Sequence, residues 1–217
     1  MTTVYFVRHG ESEANQGAWL AAQAEARLTP KGMMQAEQSA RRLASVAFDA
    51  IYSSDLSRAM DTARAHAALH GCDVIPTPFL REFDAGKLTG MRYENIAAQY
   101  PALYPKLWQE SFGIFCPPGG ESLPKAAERL EAFVREVARA NEGKTLLFVT
   151  HAGILRAFWG RILGIAPEEL AQHLPFCENA AYSVLQVNED AIRPLCYGVT
   201  EDANEADGRM QRHGTNA

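Results

Sequence analysis

The chain has 217 residues and a mass of 23.9 kDa; 47% of the residues are hydrophobic and 22% charged, and 21 basic against 26 acidic residues give a net charge of −5. A length in that range buries a sizeable core without disulfides or a structural metal, and the composition excludes a disordered chain, a collagen-like fibre or a coiled coil. The acidic balance offers no general attraction for nucleic acid or an anionic membrane, so an anionic substrate has to be met by a local cluster of Arg and His.

The N-terminus lacks a basic segment, its apolar run is too short for a signal peptide, and no stretch approaches the length of a membrane span. Four cysteines (Cys72, Cys116, Cys177 and Cys196) fall at wide, irregular spacings with no Cys-x-x-Cys pair. The expectation is a cytoplasmic protein with reduced thiols.

In chain order, Val4 to Val7 is a β-rich run that ends in a Gly-containing loop, which predicts a buried strand. Met33 to Val46 predicts a helix, Ala50 to Tyr52 a second strand, Leu56 to Leu69 a second helix and residues 73–76 a further short strand. Residues 77–121 hold much of the Pro and Gly together with several aromatics, and suit an inserted lid. From Ser122 the clearest helix runs toward Gly143, with Leu123, Ala126, Ala127, Leu130, Phe133, Val134 and Val137 on one face at the 3.6 period. Thr145 to Thr150 is an apolar strand, a helix follows over about 154–163, and Tyr182 to Val187 and Ile192 to Tyr197 predict the last strands.

Strands alternating with helices predict an α/β three-layer sandwich around a mostly parallel sheet. One domain over residues 1–200 is expected, with a polar, aperiodic tail from 201 to 217. In such sheets ligands bind beyond the carboxyl ends of the strands.

Three predicted strand ends carry cationic or imidazole side chains. Arg8-His9-Gly10-Glu11 follows the first strand, and Arg58 lies one turn past the second. His151-Ala152-Gly153 opens a helix whose N–H donors favour an anion. Singly, each has an ordinary explanation: a surface loop, a solvated Arg or a core histidine. Together they outline a phosphate pocket, since guanidinium forks match phosphate oxygens. No metal motif accompanies them. His66 and His70 stand i, i+4 on a predicted helix but lack the acidic partner of a zincin.

These blocks, taken with Ser12, Asn15, the stretch from Ser53 to Ala63, Leu80-x-Glu82-x-x-x-Gly86 and Pro118-Gly119-Gly120-Glu121-Ser122, resemble the histidine phosphatase superfamily, nearest its phosphoglycerate-mutase-like branch. The resemblance runs in order from about residue 3 to residue 187. It implies His9 as the nucleophile that becomes phosphohistidine, and Glu82 as general acid. It places Arg8, Arg58 and His151 around the phosphate, with Asn15 as a further donor, and it calls for no cofactor. Ala152 joins the set through its place at the helix start. Asp84 is the reserve candidate for the acid. Ser122 reads as a helix N-cap, while Glu121 and Glu11 read as support for a helix end and for the His9 loop.

The mutases of this family carry a Ser or Thr and a Gly where this chain has Ala18-Trp19-Leu20-Ala21-Ala22, and a Lys where it has Tyr93. They also carry an Arg pair in the lid, yet residues 94–121 contain no Arg. Leu107 and Ser111 stand where fructose-2,6-bisphosphatase grips a second phosphate. A phosphomonoesterase acting on a small phosphorylated metabolite is therefore expected. A cofactor-dependent phosphoglycerate mutase and a non-catalytic phosphate-binding scaffold are the alternatives. No nucleic-acid or membrane partner is expected, and a homodimer stays open. The aromatics Tyr93, Tyr100, Tyr104, Trp108, Phe112 and Phe115 read first as helix-packing residues and otherwise as a surface for a ring-bearing leaving group, while the missing cations point to a monophosphate.

Overall fold

The computed structural model describes residues 1–105 and 116–201. Its centre is one six-stranded sheet. The strands are β1 (Thr2–Arg8), β2 (Ala50–Ser54), β3 (Val74–Thr77), β4 (Thr145–Thr150), β5 (Tyr182–Val187) and β6 (Ile192–Val199), in spatial order β3-β2-β4-β1-β5-β6. The first four run parallel, and β5 and β6 run antiparallel to their neighbours. Residues 4–7 of β1 and 146–149 of β4 are continuous apolar runs because both faces of the central sheet are covered.

The helices are α1 (Glu13–Gln16), α2 (Pro30–Arg42), α3 (Ser57–His70), α4 (Tyr93–Gln99), α5 (Leu123–Ala140), α6 (Ala152–Ile162) and α7 (Leu170–His173). Several boundaries have a local cause. Thr29 caps α2 by accepting the Gly32 N–H, Ser122 caps α5 by accepting the Lys125 N–H, and Gly71 ends α3 at φ +67°. The seven apolar positions expected on α5 are all buried, and Ala138 joins them. Each fully buried Leu or Phe on such a face contributes roughly 1.5–3 kcal/mol.

One core cluster holds Leu130, Phe133, Val134, Leu155, Phe158 and Trp159 of α5 and α6 against Phe6 and Phe148. A second packs Leu43, Ala59 and Ala63 against Val7, Leu147 and Val149. These two layers of helices around one sheet match the expected sandwich. The starts of α2, α3 and α6 differ from expectation by one to three residues; the Thr29 cap sets that of α2. The short helices α1, α4 and α7 had no sequence signal. Trp108, Phe112, Phe115, Leu107, Ser111 and the tail from 202 lie outside the described residues. Among those described, no helix is long and apolar enough to cross a membrane, no His, Cys, Asp and Glu group could hold a metal, and all four cysteines are free.

Candidate active site

Strand register assembles the site. Arg8 pairs with Thr150 across β1 and β4, so the next residues, His9 and His151, leave the sheet side by side. The His9 N–H donates to the Thr150 carbonyl at 3.0 Å, and the two imidazole centroids lie 5.1 Å apart. On the other side of β4, Ser53 pairs with Val149, which delivers Ser54 and the start of α3 to the same edge. The His9 loop sits backbone to backbone on α2: a Cβ at Gly10 would collide with the Gly32 carbonyl. This close approach is why Gly10 follows the histidine.

A cavity of about 260 Å³ opens at this edge, and Arg8, His9, Asn15, Arg58, Glu82 and Ala152 all line it. His151 stands behind them, fully buried, with Nε2 2.8 Å from the Ser54 hydroxyl. Glu11 is turned away into bonds with Thr29 and Lys31, as its supporting role requires. Asp84 faces a solvent-filled depression on the other side of its loop, so it does not reach the cavity.

The hydrogen bonds fix chemical states. Nδ1 of His9 lies 2.6 Å from the Gly10 carbonyl, which can only accept. Nδ1 therefore carries the proton, and Nε2 presents a lone pair. Burial, then the charges of Arg58 and Arg8, hold the His9 pKa well below the usual imidazole range. His151 is lowered in the same way, by burial first and then by Arg58. Both rings are neutral at pH 7.

The cations are held by carbonyl oxygens rather than by carboxylates. Arg58 donates to Ala22 (2.7 Å) and Ala24 (2.9 Å), and burial brings its pKa down to about 10, still protonated at neutral pH. Arg8 donates to the Cys177 carbonyl at 2.6 Å, while its buried Nε has no partner among the described residues. The side-chain oxygen of Asn15 accepts from the backbone N–H and the hydroxyl of Ser12, and from Asn179, which leaves its NH₂ group as the donor available to a ligand.

Glu82 corrects one expectation. The N–H donors of α6, expected to meet an anion directly, are engaged by this carboxylate: Gly153 donates to Oε2 at 2.8 Å and Ile154 to Oε1 at 2.7 Å. First-turn N–H groups have no partner within the helix, and a carboxylate from the loop after β3 satisfies them. Phe83 N–H adds a third bond, to Oε1 at 3.0 Å. Gly153 has no side chain because a Cβ there would stand 2.8 Å from Glu82 Oε1.

Beyond the phosphate-sized end the walls are Trp19, Leu20, Phe83, Tyr93 and Phe176. Burial and then the Glu82 charge raise the Tyr93 pKa, so its hydroxyl is neutral. Phe176 is fixed from behind by the Arg156 guanidinium, 4.3 Å from its ring centroid. Phe176 and Asn179 were missed in the sequence, since they lie some 170 residues from His9 and no local pattern marks them; Ser54 falls within the Ser53-to-Ala63 stretch but carried no role of its own there.

Comparison with known proteins places the chain in a family. The family model "Histidine phosphatase superfamily (branch 1)" matches residues 4–200. The chain is 35% identical over 164 residues to a metal-independent phosphoserine phosphatase of Arabidopsis thaliana, covering 75% of this chain and 69% of that one. It is also 35% identical over 169 residues to a probable phosphoglycerate mutase, GpmB, of Proteus mirabilis, covering 76% of each. The solved structure of YhfR from Bacillus stearothermophilus superposes with a TM-score of 0.87 at 25% identity, over 93% of this chain and 99% of that one. The family match spans nearly all of the described chain, and the chain is a member of branch 1 of the histidine phosphatase superfamily.

Proposed function

We propose that this protein is a phosphomonoesterase that passes the phosphoryl group of a small substrate to His9 and then to water. The observation that carries the reading is the tautomer of His9. Its Nδ1 is tied to the Gly10 carbonyl and its Nε2 lone pair stands in a cavity lined by Arg8 and Arg58. In the first step Nε2 attacks phosphorus, the phosphorus–oxygen ester bond breaks, and the leaving alkoxide takes a proton from Glu82. In the second, water attacks the phosphohistidine, its proton passes to Glu82, and the phosphorus–nitrogen bond breaks.

In this reading the proton is carried by the Glu82 oxygen that keeps a free lone-pair site. Two carboxylate oxygens offer about four lone-pair sites, and three accept backbone N–H groups, two of them on Oε1. The free site is on Oε2. Charge on the transferring group is met by the remaining N–H groups of Arg8 and Arg58 and by the NH₂ of Asn15, with His151 holding the His9 ring from behind.

The walls support one substrate class over another. Arg8 and Arg58 are the two cations among the described lining residues, and both serve the first phosphate. Trp19, Leu20, Phe83, Tyr93 and Phe176 favour an apolar or ring-bearing leaving group. The name of the Arabidopsis relative supports hydrolysis rather than isomerisation. The test is to mix enzyme with ³²P-labelled substrate, quench in alkaline detergent and locate the label; base-stable, acid-labile phosphate on His9 is expected, and label on a Cys or Ser defeats the mechanism.

A further inference from the structure

Glu82 is held in place from outside the cavity by residues to which the reaction gives no role. Arg129, on α5, directs its guanidinium into the loop that carries Glu82. Its Nη1 donates to the carbonyls of Phe79 (2.8 Å), Arg81 (3.2 Å) and Pro78 (3.5 Å). Its Nη2 donates to the carbonyls of Arg81 (3.2 Å) and Glu82 (3.4 Å) and to Glu121 Oε1 at 2.7 Å. The same Glu121 oxygen accepts the Asp84 N–H at 3.0 Å, and Glu121 N–H donates to the Asp84 carbonyl at 3.0 Å. Glu82 is thus gripped just before and just after itself in the chain, by one ion pair.

The rest of the loop is fastened in the same direction. Lys87 N–H donates to the Pro118 carbonyl at 3.0 Å, and a Cβ at Gly86 would collide with that carbonyl, just as one at Gly120 would collide with the Asp84 carbonyl. Two glycines are present because two backbones touch. Gln23 Nε2 donates to the Glu82 carbonyl at 3.0 Å, from the segment that also binds Arg58. Arg129 itself does not line the cavity, and both of its Nη atoms are committed to loop acceptors. Its charge is therefore spent on geometry and not on substrate.

We propose that Arg129 and Glu121 are positioning residues for the reaction: together they set where the Glu82 carboxyl stands relative to the leaving-group oxygen. The inference rests on the reading of Glu82 as general acid. Misplacing a reacting group by about 1 Å costs on the order of 100-fold. The loss should fall on the step that needs the proton, which kcat/KM reports as formation of the phosphoenzyme.

The experiment compares kcat/KM for an alkyl phosphate, whose alkoxide must be protonated, with that for p-nitrophenyl phosphate, whose phenolate needs little help. Arg129→Met and Glu121→Ala should each lose about 10- to 100-fold on the alkyl ester and far less on the aryl ester, and Arg129→Lys should recover part of the loss. Adding Arg129→Met to Glu82→Gln should cost little more on the alkyl ester, because a misplaced acid and a missing acid are the same defect. A merely structural Arg129 would lower both substrates equally and add its full penalty to Glu82→Gln; either result overturns the inference. If Glu82→Gln discriminates between the substrates while Arg129→Met does not, the positioning role falls and the acid role stands. If Glu82→Gln does not discriminate, the acid reading fails and takes this inference with it.

Discussion

The imidazole rings of His9 and His151 lie 5.1 Å apart at the ends of two strands paired in register, yet only His9 reaches the cavity. His151 is fully enclosed with Nε2 on the Ser54 hydroxyl, so it is not placed to attack phosphorus. His9→Ala should therefore lose roughly 10³-fold or more in turnover and trap no phosphate, although a second imidazole stands next to the site. Label recovered on His151 in that variant would show that the two rings are interchangeable.

As the proposed general acid, Glu82 would set the sensitivity to the leaving group. Glu82→Gln should slow alkyl phosphates by about 10²- to 10⁴-fold, the usual span for a general acid, and p-nitrophenyl phosphate much less. Gly153→Ala should act in the same direction, since its new methyl would press on Glu82 Oε1. Equal slowing of both substrates by Glu82→Gln would leave the residue a purely structural clasp on α6.

Two guanidinium groups and a side-chain amide line the cavity, so in the proposed reaction the charge stabilisation that Mg²⁺ supplies elsewhere would come from protein groups. Activity should survive exhaustive EDTA treatment. Loss on chelation with rescue by a divalent ion would contradict this.

A second phosphate would have no cation among the described lining residues and would forgo charge-assisted hydrogen bonds of roughly 1.5–3 kcal/mol each. Aryl or nucleoside monophosphates should therefore exceed fructose 2,6-bisphosphate and 2,3-bisphosphoglycerate in kcat/KM. A clear preference for either bisphosphate, or interconversion of phosphoglycerates stimulated by 2,3-bisphosphoglycerate, would favour the mutase alternative.

His66, inside α3, predicts how stability depends on pH. It is fully buried, neither ring nitrogen has a hydrogen-bond partner among the described residues, and burial takes its pKa down to about 3. The folded pKa lies below the unfolded value of about 6.5, so below that pH the unfolded chain binds the extra proton and folding weakens. The penalty is absent above pH 6.5 and reaches about 2 kcal/mol at pH 5. Urea titrations should show His66→Leu losing about 2 kcal/mol less than the unmodified chain between pH 7 and pH 5. An unchanged loss would place the acid sensitivity elsewhere, with His9 and His151 as the next groups to examine.

Much of this protein is determined by the sequence alone, because the physics involved is local. Apolar runs ending in Arg8-His9 and Thr150-His151, capping residues at Thr29 and Ser122, and the 3.6-period face of α5 each act over a few residues, so strands, main helices and catalytic candidates are legible in the chain. Glu82 was legible as a member of the site, but not its seat on the N-terminus of α6, which joins residues some 70 positions apart. The carbonyls that aim Arg58 and Arg8, at Ala22, Ala24 and Cys177, belong to loops with no periodic signal. The same holds for the wall residue Phe176, and the Arg129–Glu121 clasp joins a position outside the buried face of α5 to a loop that its helical period does not point to. Those features exist only once the β1–β4 register has brought the strand ends together. Backbone acceptors and loop walls are chosen by long-range packing, and every residue type supplies a carbonyl, so composition and spacing carry no trace of which ones are used.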